Sequence, residues 1–215
     1  MRGKSVLVVF VVLAATYGWH RWAETTRVDT AALPAMISEV RLNHDSGNIT
    51  IAAGDGPPTV RRIAEFHGGA LGPSHRVEGD TLVLGGCGYF CTAHYEVSVP
   101  RGVRVSGHLT SGNLAITQPS AVDVRVTSGD VRVTGGAQDV QVGATSGHVV
   151  VELAQQHNVR VQVTSGDIEL AVPDGTYRVS TKTTGGTAEV AVAHDPRATT
   201  TLDLRTTNGD IKINR

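Results

Sequence analysis

The sequence predicts an all-β fold: a β-solenoid-like stack of short strand–turn–strand repeats, preceded by an N-terminal transmembrane helix or signal segment. Three observations lead there. A short turn motif recurs seven times, its flanks alternate apolar and polar residues, and the composition favours strands. Glycine is high at 25 residues, while Phe, Tyr and Trp together make up only 4% of the chain. The apolar residues are mostly Val, Ile, Leu and Ala, which suit short strands and a narrow interior.

The turns centre on Gly47, Gly112, Gly129, Gly147, Gly166, Gly186 and Gly209. Ser, Gly or Asn precedes each glycine, and Asn, Asp, His or Thr follows it. From Gly112 onward the spacings are 17, 18, 19, 20 and 23 residues, a solenoid-scale period with small insertions. Glycine tolerates the positive φ that tight turns need. The polar residues beside it are able to bond nearby backbone amides. Such a turn closes either a two-residue hairpin or the corner of a solenoid. One repeat alone cannot bury its apolar face, and stacking neighbours does so.

The flanks have period two. Val122, Val124 and Val126 alternate with Asp123 and Arg125, and Val159, Val161 and Val163 with Arg160 and Gln162. Ile168, Leu170 and Val172 follow the same rule, as do Leu202 and Leu204, and Ile211 and Ile213. Strict alternation means one buried face and one wet face. The stretch from Pro57 to Pro100 is less regular. Val60–Phe66, Arg76–Leu84 and His94–Val99 read as strands, with a turn at Gly79-Asp80, and together they suit an antiparallel cap over one end of the stack.

Three segments follow: a membrane anchor or signal peptide over 1–22, a polar linker over 23–37, and the β-repeat domain over 38–215. Met1-Arg2-Gly3-Lys4 is a basic start, and Ser5 to Trp19 carries no charge. That run is short of the roughly 20 residues of a full span, which leaves room for a cleaved signal. No Ala-x-Ala site follows it, and Tyr17, Trp19 and Trp22 suit an interfacial aromatic belt. The favoured reading is a single-pass membrane protein with its C-terminal domain outside the cytoplasm, secretion being the alternative. No Cys follows the run, which excludes a lipoprotein anchor. A formal net charge of −1, from 19 basic and 20 acidic residues, gives no footprint for nucleic acid.

Cys87 and Cys91 are too few for a zinc site, which wants four ligands. They are a redox pair, a local disulfide or two free thiols, and export favours the disulfide. The column after the turn glycines, from Asn48 to Asp210, invites calcium, but His148 and Thr187 interrupt it and plain turn chemistry accounts for it better. These departures also argue against a uniform side-chain ladder. A column of Thr residues, Thr110, Thr127, Thr145, Thr164, Thr184 and Thr207, lacks the second Thr column that an ice-ordering face needs. Asp139, Glu152 and Glu169 are too scattered for a glycosidase pair. The nine His residues show no HxH, HxxxH or HExxH spacing, and no P-loop, dinucleotide fingerprint or nucleophile elbow appears. Arg101, Arg104, Arg125, Arg132 and Arg160 are candidates for one outward basic face.

The runs Thr-Ser-Gly-Asp-Val-Arg-Val at 127–133, Thr-Ser-Gly-Asp-Ile-Glu-Leu at 164–170 and Asn-Gly-Asp-Ile-Lys-Ile at 208–213 resemble the bacterial putative-adhesin family of β-strand-repeat domains. Tyr-Glu-Val-Ser-Val-Pro-Arg-Gly-Val at 95–103 is similar to that family's lead-in to the repeats. The resemblance covers about Glu39 to Arg215. It implies a surface-exposed domain, often preceded by an anchor or signal, and implies no catalytic residue. The expected role is a binding module with no catalytic, cofactor or metal residues, presenting a β-surface to an envelope protein or cell-surface glycan. Two alternatives are an envelope sensor working through a membrane partner, since four residues ahead of the apolar run leave no cytoplasmic domain, and a carbohydrate-active β-helix enzyme.

Overall fold

The computed structural model describes residues 24–68 and 71–215. The anchor or signal segment expected over 1–22 lies outside the described residues. Among those described there is no helix, and none long and apolar enough to cross a membrane.

Each repeat contributes one strand to each of two sheets. The strands before the corners are β2 (Glu39–Ser46), β8 (Arg104–Ser111), β10 (Ala121–Ser128), β12 (Asp139–Ser146), β14 (Asn158–Ser165) and β19 (Thr201–Asn208). The strands after them are β3 (Ile49–Gly54), β9 (Leu114–Thr117), β11 (Val131–Gly135), β13 (Val149–Leu153), β15 (Ile168–Ala171) and β20 (Ile211–Asn214). Pairing between repeats is parallel and in register, with Val122 opposite both Val105 and Val140, and Val131 opposite both Leu114 and Val149. The Ser-Gly-Asx turn is therefore a solenoid corner and not a hairpin. The alternating Val, Ile and Leu residues point between the sheets and form one continuous buried cluster. Each such side chain contributes about 1.5–3 kcal/mol by leaving water.

The stack order departs from the chain order at one end. β16 (Thr176–Lys182) pairs with β19, and β17 (Ala188–Val190) pairs with β20. β19 and β20 in turn pair with β14 and β15. The repeat at 201–214 is thus inserted between the repeat at 158–171 and the segment at 176–190, so the 20-residue spacing from Gly166 to Gly186 is not a step between neighbours, while the 23-residue spacing joins neighbours in the reverse stack order. β18 (Ala193–His194) closes the outer edge beside β16.

An antiparallel cap covers the other end. β1 (Glu24–Ala32) pairs with β4 (Thr59–His67), and β4 pairs with β7 (Cys91–Pro100). β5 (His75–Glu78) pairs with β6 (Thr81–Gly85), which lies beside β2. The segment expected as a polar linker over 23–37 therefore holds an edge strand. Its residues are mostly exposed, so no apolar alternation marked it. Buried Arg62 fastens the cap, donating to Gly72 O at 3.0 Å and Ser74 Oγ at 2.7 Å and pairing with Asp29 of β1.

Beneath the cap, His44 takes the place that Leu109 and Val126 fill in the next layers. It is fully buried, edge-on to Tyr95, with Nδ1 3.0 Å from Gly85 O and Nε2 2.8 Å from Ala93 O. Burial pushes this imidazole below its usual range, and the two carbonyls oppose that shift without offsetting it. His75 is lowered for the same reason, with Arg62 adding to the effect.

The corner glycines meet two demands at once. Gly47, Gly112, Gly129, Gly147, Gly166 and Gly209 have φ between +132° and +146°. A Cβ on Gly129 would lie 2.0 Å from Gly112 O, and the other corners are as tight. Gly186 differs: its φ is not positive, but a Cβ there would meet Gly209 O at 2.1 Å, so space alone requires glycine.

Gly129→Ala is expected to lower the unfolding free energy by about 2–5 kcal/mol, from backbone strain and overpacking together. Gly143→Ala has ordinary φ and a nearest contact of 3.6 Å, and is expected to change it by less than about 1 kcal/mol; urea titration of both variants checks this. A second expectation concerns acid. Because the folded state holds His44 and His75 less basic than the unfolded chain, the unfolded state binds more protons, and stability falls as pH drops below about 6.5. Glu39, Asp80 and Asp210, held below the usual carboxylate range by hydrogen bonds, act at lower pH. Urea midpoints measured from pH 7 to about pH 5 are expected to decline in the native chain and to flatten in the His44→Gln, His75→Gln variant.

Candidate functional site

The residue after each corner glycine faces outward, and its side chain has a structural task. The corner glycine N–H donates to the next repeat, as Gly112 N–H does to Ser128 O at 2.9 Å. So does the second residue on, as Leu114 N–H does to Asp130 O at 2.9 Å. The N–H between them points back at the preceding repeat, where a side chain accepts it. Asn113 N–H donates to Asn48 Oδ1 at 2.9 Å, Asp130 N–H to Asn113 Oδ1 at 3.0 Å, and His148 N–H to Asp130 Oδ1 at 2.8 Å. The series continues from Asp167 N–H to His148 Nδ1, from Asp210 N–H to Asp167 Oδ1, and from Thr187 N–H to Asp210 Oδ1. At the cap, His94 Nδ1 accepts from Asn48 N–H at 3.0 Å.

The ladder expected to break at His148 is continuous. With its proton on Nε2, an imidazole presents Nδ1 as an acceptor much as a carboxylate presents Oδ1. Sequence reading missed this because it compared charge along the column, whereas the common property is an acceptor near the backbone. The carboxylates are thereby committed to backbone amides. Among the described residues no three His, Cys, Asp or Glu side chains gather closely enough to hold a metal ion.

The five arginines do not share a face. Arg104, Arg125 and Arg160 lie on the sheet of pre-corner strands, Arg132 lies on the opposite sheet paired with Glu152, and Arg101 pairs with Asp55 beyond β7. A different basic set does come together. Register places His108, Arg125, Gly143, Gln162, Arg205 and Lys182 in one row across five repeats and the end strand. The row borders an open groove of about 760 Å³ whose other wall is the outward column of Thr127, Thr145, Thr164, Thr207 and Thr184. Gly143 supplies the gap at its floor, since it has no side chain to fill the row. No carboxylate lines the groove. Arg205 is held by Asp203 at 3.0 Å, while Arg125 and Lys182 make no ion pair among the described residues.

Cys87 and Cys91 are joined in a disulfide, with 5.6 Å between their Cα atoms. The bridge closes the corner of the first layer, where β6 crosses to β7 and no Ser-Gly-Asx turn exists. Tyr89 and Phe90 stand on that loop with 98% and 82% of their surface exposed.

A family model described as Toastrack DUF4097 matches residues 30–214. The chain belongs to this family. No curated protein matches it. Among solved structures, a putative cell adhesion protein from Clostridium sporogenes is 10% identical with a TM-score of 0.54, over 88% of this chain and 99% of that one. That likeness shows the same all-β fold. Putative adhesins from Bacteroides fragilis and Parabacteroides distasonis align with TM-scores of 0.39 and 0.40 at 12% and 11% identity. They cover 89% and 87% of this Toastrack chain and 97% of each neighbour.

Removing a ladder acceptor leaves an amide without its partner. Asp130→Ala is expected to cost about 1 kcal/mol of stability, and Asp130→Asn only a few tenths, as read by urea unfolding.

Proposed function

We propose that this chain is a membrane-anchored, extracytoplasmic adhesin-type module without catalysis, and that the groove beside Arg125 takes an acidic glycan of a cell surface. The groove carries this reading. No carboxylate lines it, Arg125 and Lys182 make no ion pair among the described residues, and its Thr hydroxyls repeat at the strand spacing of about 4.8 Å, which suits a linear chain. Cationic side chains supply attraction and steer encounter, while aligned hydroxyls bond sugar oxygens. The corner ladder and the parallel sheets hold these groups on rigid elements, so little ordering entropy opposes binding. A structural neighbour described as a putative cell adhesion protein and an uncharged run before the domain support the same placement.

The test is binding of the chain to a panel of soluble glycans by calorimetry. A uronate- or phosphate-bearing polymer is expected to bind and its neutral counterpart not. The Arg125→Glu, Lys182→Glu variant is expected to weaken binding by about tenfold or more. Gly143→Phe, which fills the groove floor without changing charge, is expected to weaken it too. Undiminished binding by both variants would refute the assignment.

A further inference from the structure

The disulfide-closed loop lies where the chain enters the domain. The first described residue, Glu24, pairs with His67, and Thr25 pairs with Phe66. Phe66 in turn pairs with Cys91, and His67 N–H donates to Phe90 O at 3.1 Å. Two strand spacings thus separate the start of β1 from the backbone of Phe90, about 10 Å. In sequence, Glu24 lies five positions after Trp19, the end of the uncharged run. Five residue steps span at most about 17 Å.

The loop is built to hold apolar surface in water. Five Phe and Tyr residues lie among the described positions. Tyr95 and Tyr177 are buried and Phe66 is half-buried, so the loop carries the two that are exposed. Phe90 has φ of 56°, unusual for a residue with a bulky side chain. A bridge spanning four residues fixes the ring that carries both side chains. Strain maintained to display apolar groups is characteristic of contact sites. Tyr and Phe favour the headgroup region of a bilayer, where an aromatic body sheds water while a polar tip stays hydrated.

We infer that Tyr89 and Phe90 enter the lipid–water interface as a second membrane contact, which fixes the tilt of the stack relative to the bilayer. This rests on the anchored reading proposed above. Partnership with lipid is favoured over a protein or a sugar because the chain itself leads from the uncharged run to this loop within a few residues. The loop itself, Gly85 to Cys91, holds no Lys or Arg, so the contact is apolar and needs no anionic lipid.

The test uses the full chain reconstituted in phosphatidylcholine vesicles with brominated acyl chains. Phe90→Trp and, separately, Tyr89→Trp are placed in a Trp19→Phe, Trp22→Phe background. Val190→Trp, at the opposite end of the ten-stranded sheet, is the reference. Both loop tryptophans are expected to emit at shorter wavelength and to be quenched at least about twofold more than the reference. If the protein floats with the vesicles but both loop tryptophans behave like the reference, the inference is overturned and the aromatic pair serves another partner. If the protein does not float, the anchored reading fails, and this inference with it.

Discussion

The stack depends on the close approach of one corner glycine to the next. At each corner the carbonyl of one repeat lies where a side chain of the following repeat would begin. That closeness keeps successive corners in line and the strands in parallel register on both sides. Once corners are aligned, the period-two pattern of the flanks sets which side chains meet between the sheets. The acceptor ladder is a further consequence. Tight stacking leaves one backward-facing N–H per corner, and the side chain at the same position of the preceding repeat accepts it.

The same geometry shapes the outer surface. Because register is preserved across many strands, residues distant in sequence become neighbours in straight rows. Arg125 and Lys182 are far apart in the chain but belong to one row, with Gly143 and Gln162 between them. A surface of this kind is written once per repeat, each repeat supplying one position of the row.

Much of the fold was legible in the sequence. Gly flanked by Ser and Asp or Asn marked the corners, and alternating Val, Ile and Leu marked the inward faces. The insertion of 201–214 was not legible, because the edges of similar repeats are chemically alike and nothing local to Leu202 or Ile211 distinguishes one parallel neighbour from another. β1 escaped notice because an edge strand exposed on most positions shows no periodicity. The groove was missed for a related reason: its members are separated by whole repeats, and the arginines closest in sequence fall on opposite sheets. The exposure of Tyr89 and Phe90 reflects the unusual first corner, where the disulfide replaces a glycine turn.

The inserted repeat also constrains how the molecule is assembled during synthesis. Residues 176–190 pair with β19 and β20 and, within the two sheets, with no earlier repeat. They therefore have no docking site until 201–214 has emerged and settled against β14 and β15. A stack growing from its cap extends one layer at a time as far as 158–171, then must wait. The two outermost layers arrive together, in reverse of the order in which they were made. A chain cut short before 201 would leave an uncovered sheet edge at 158–171 and an orphaned strand beyond it.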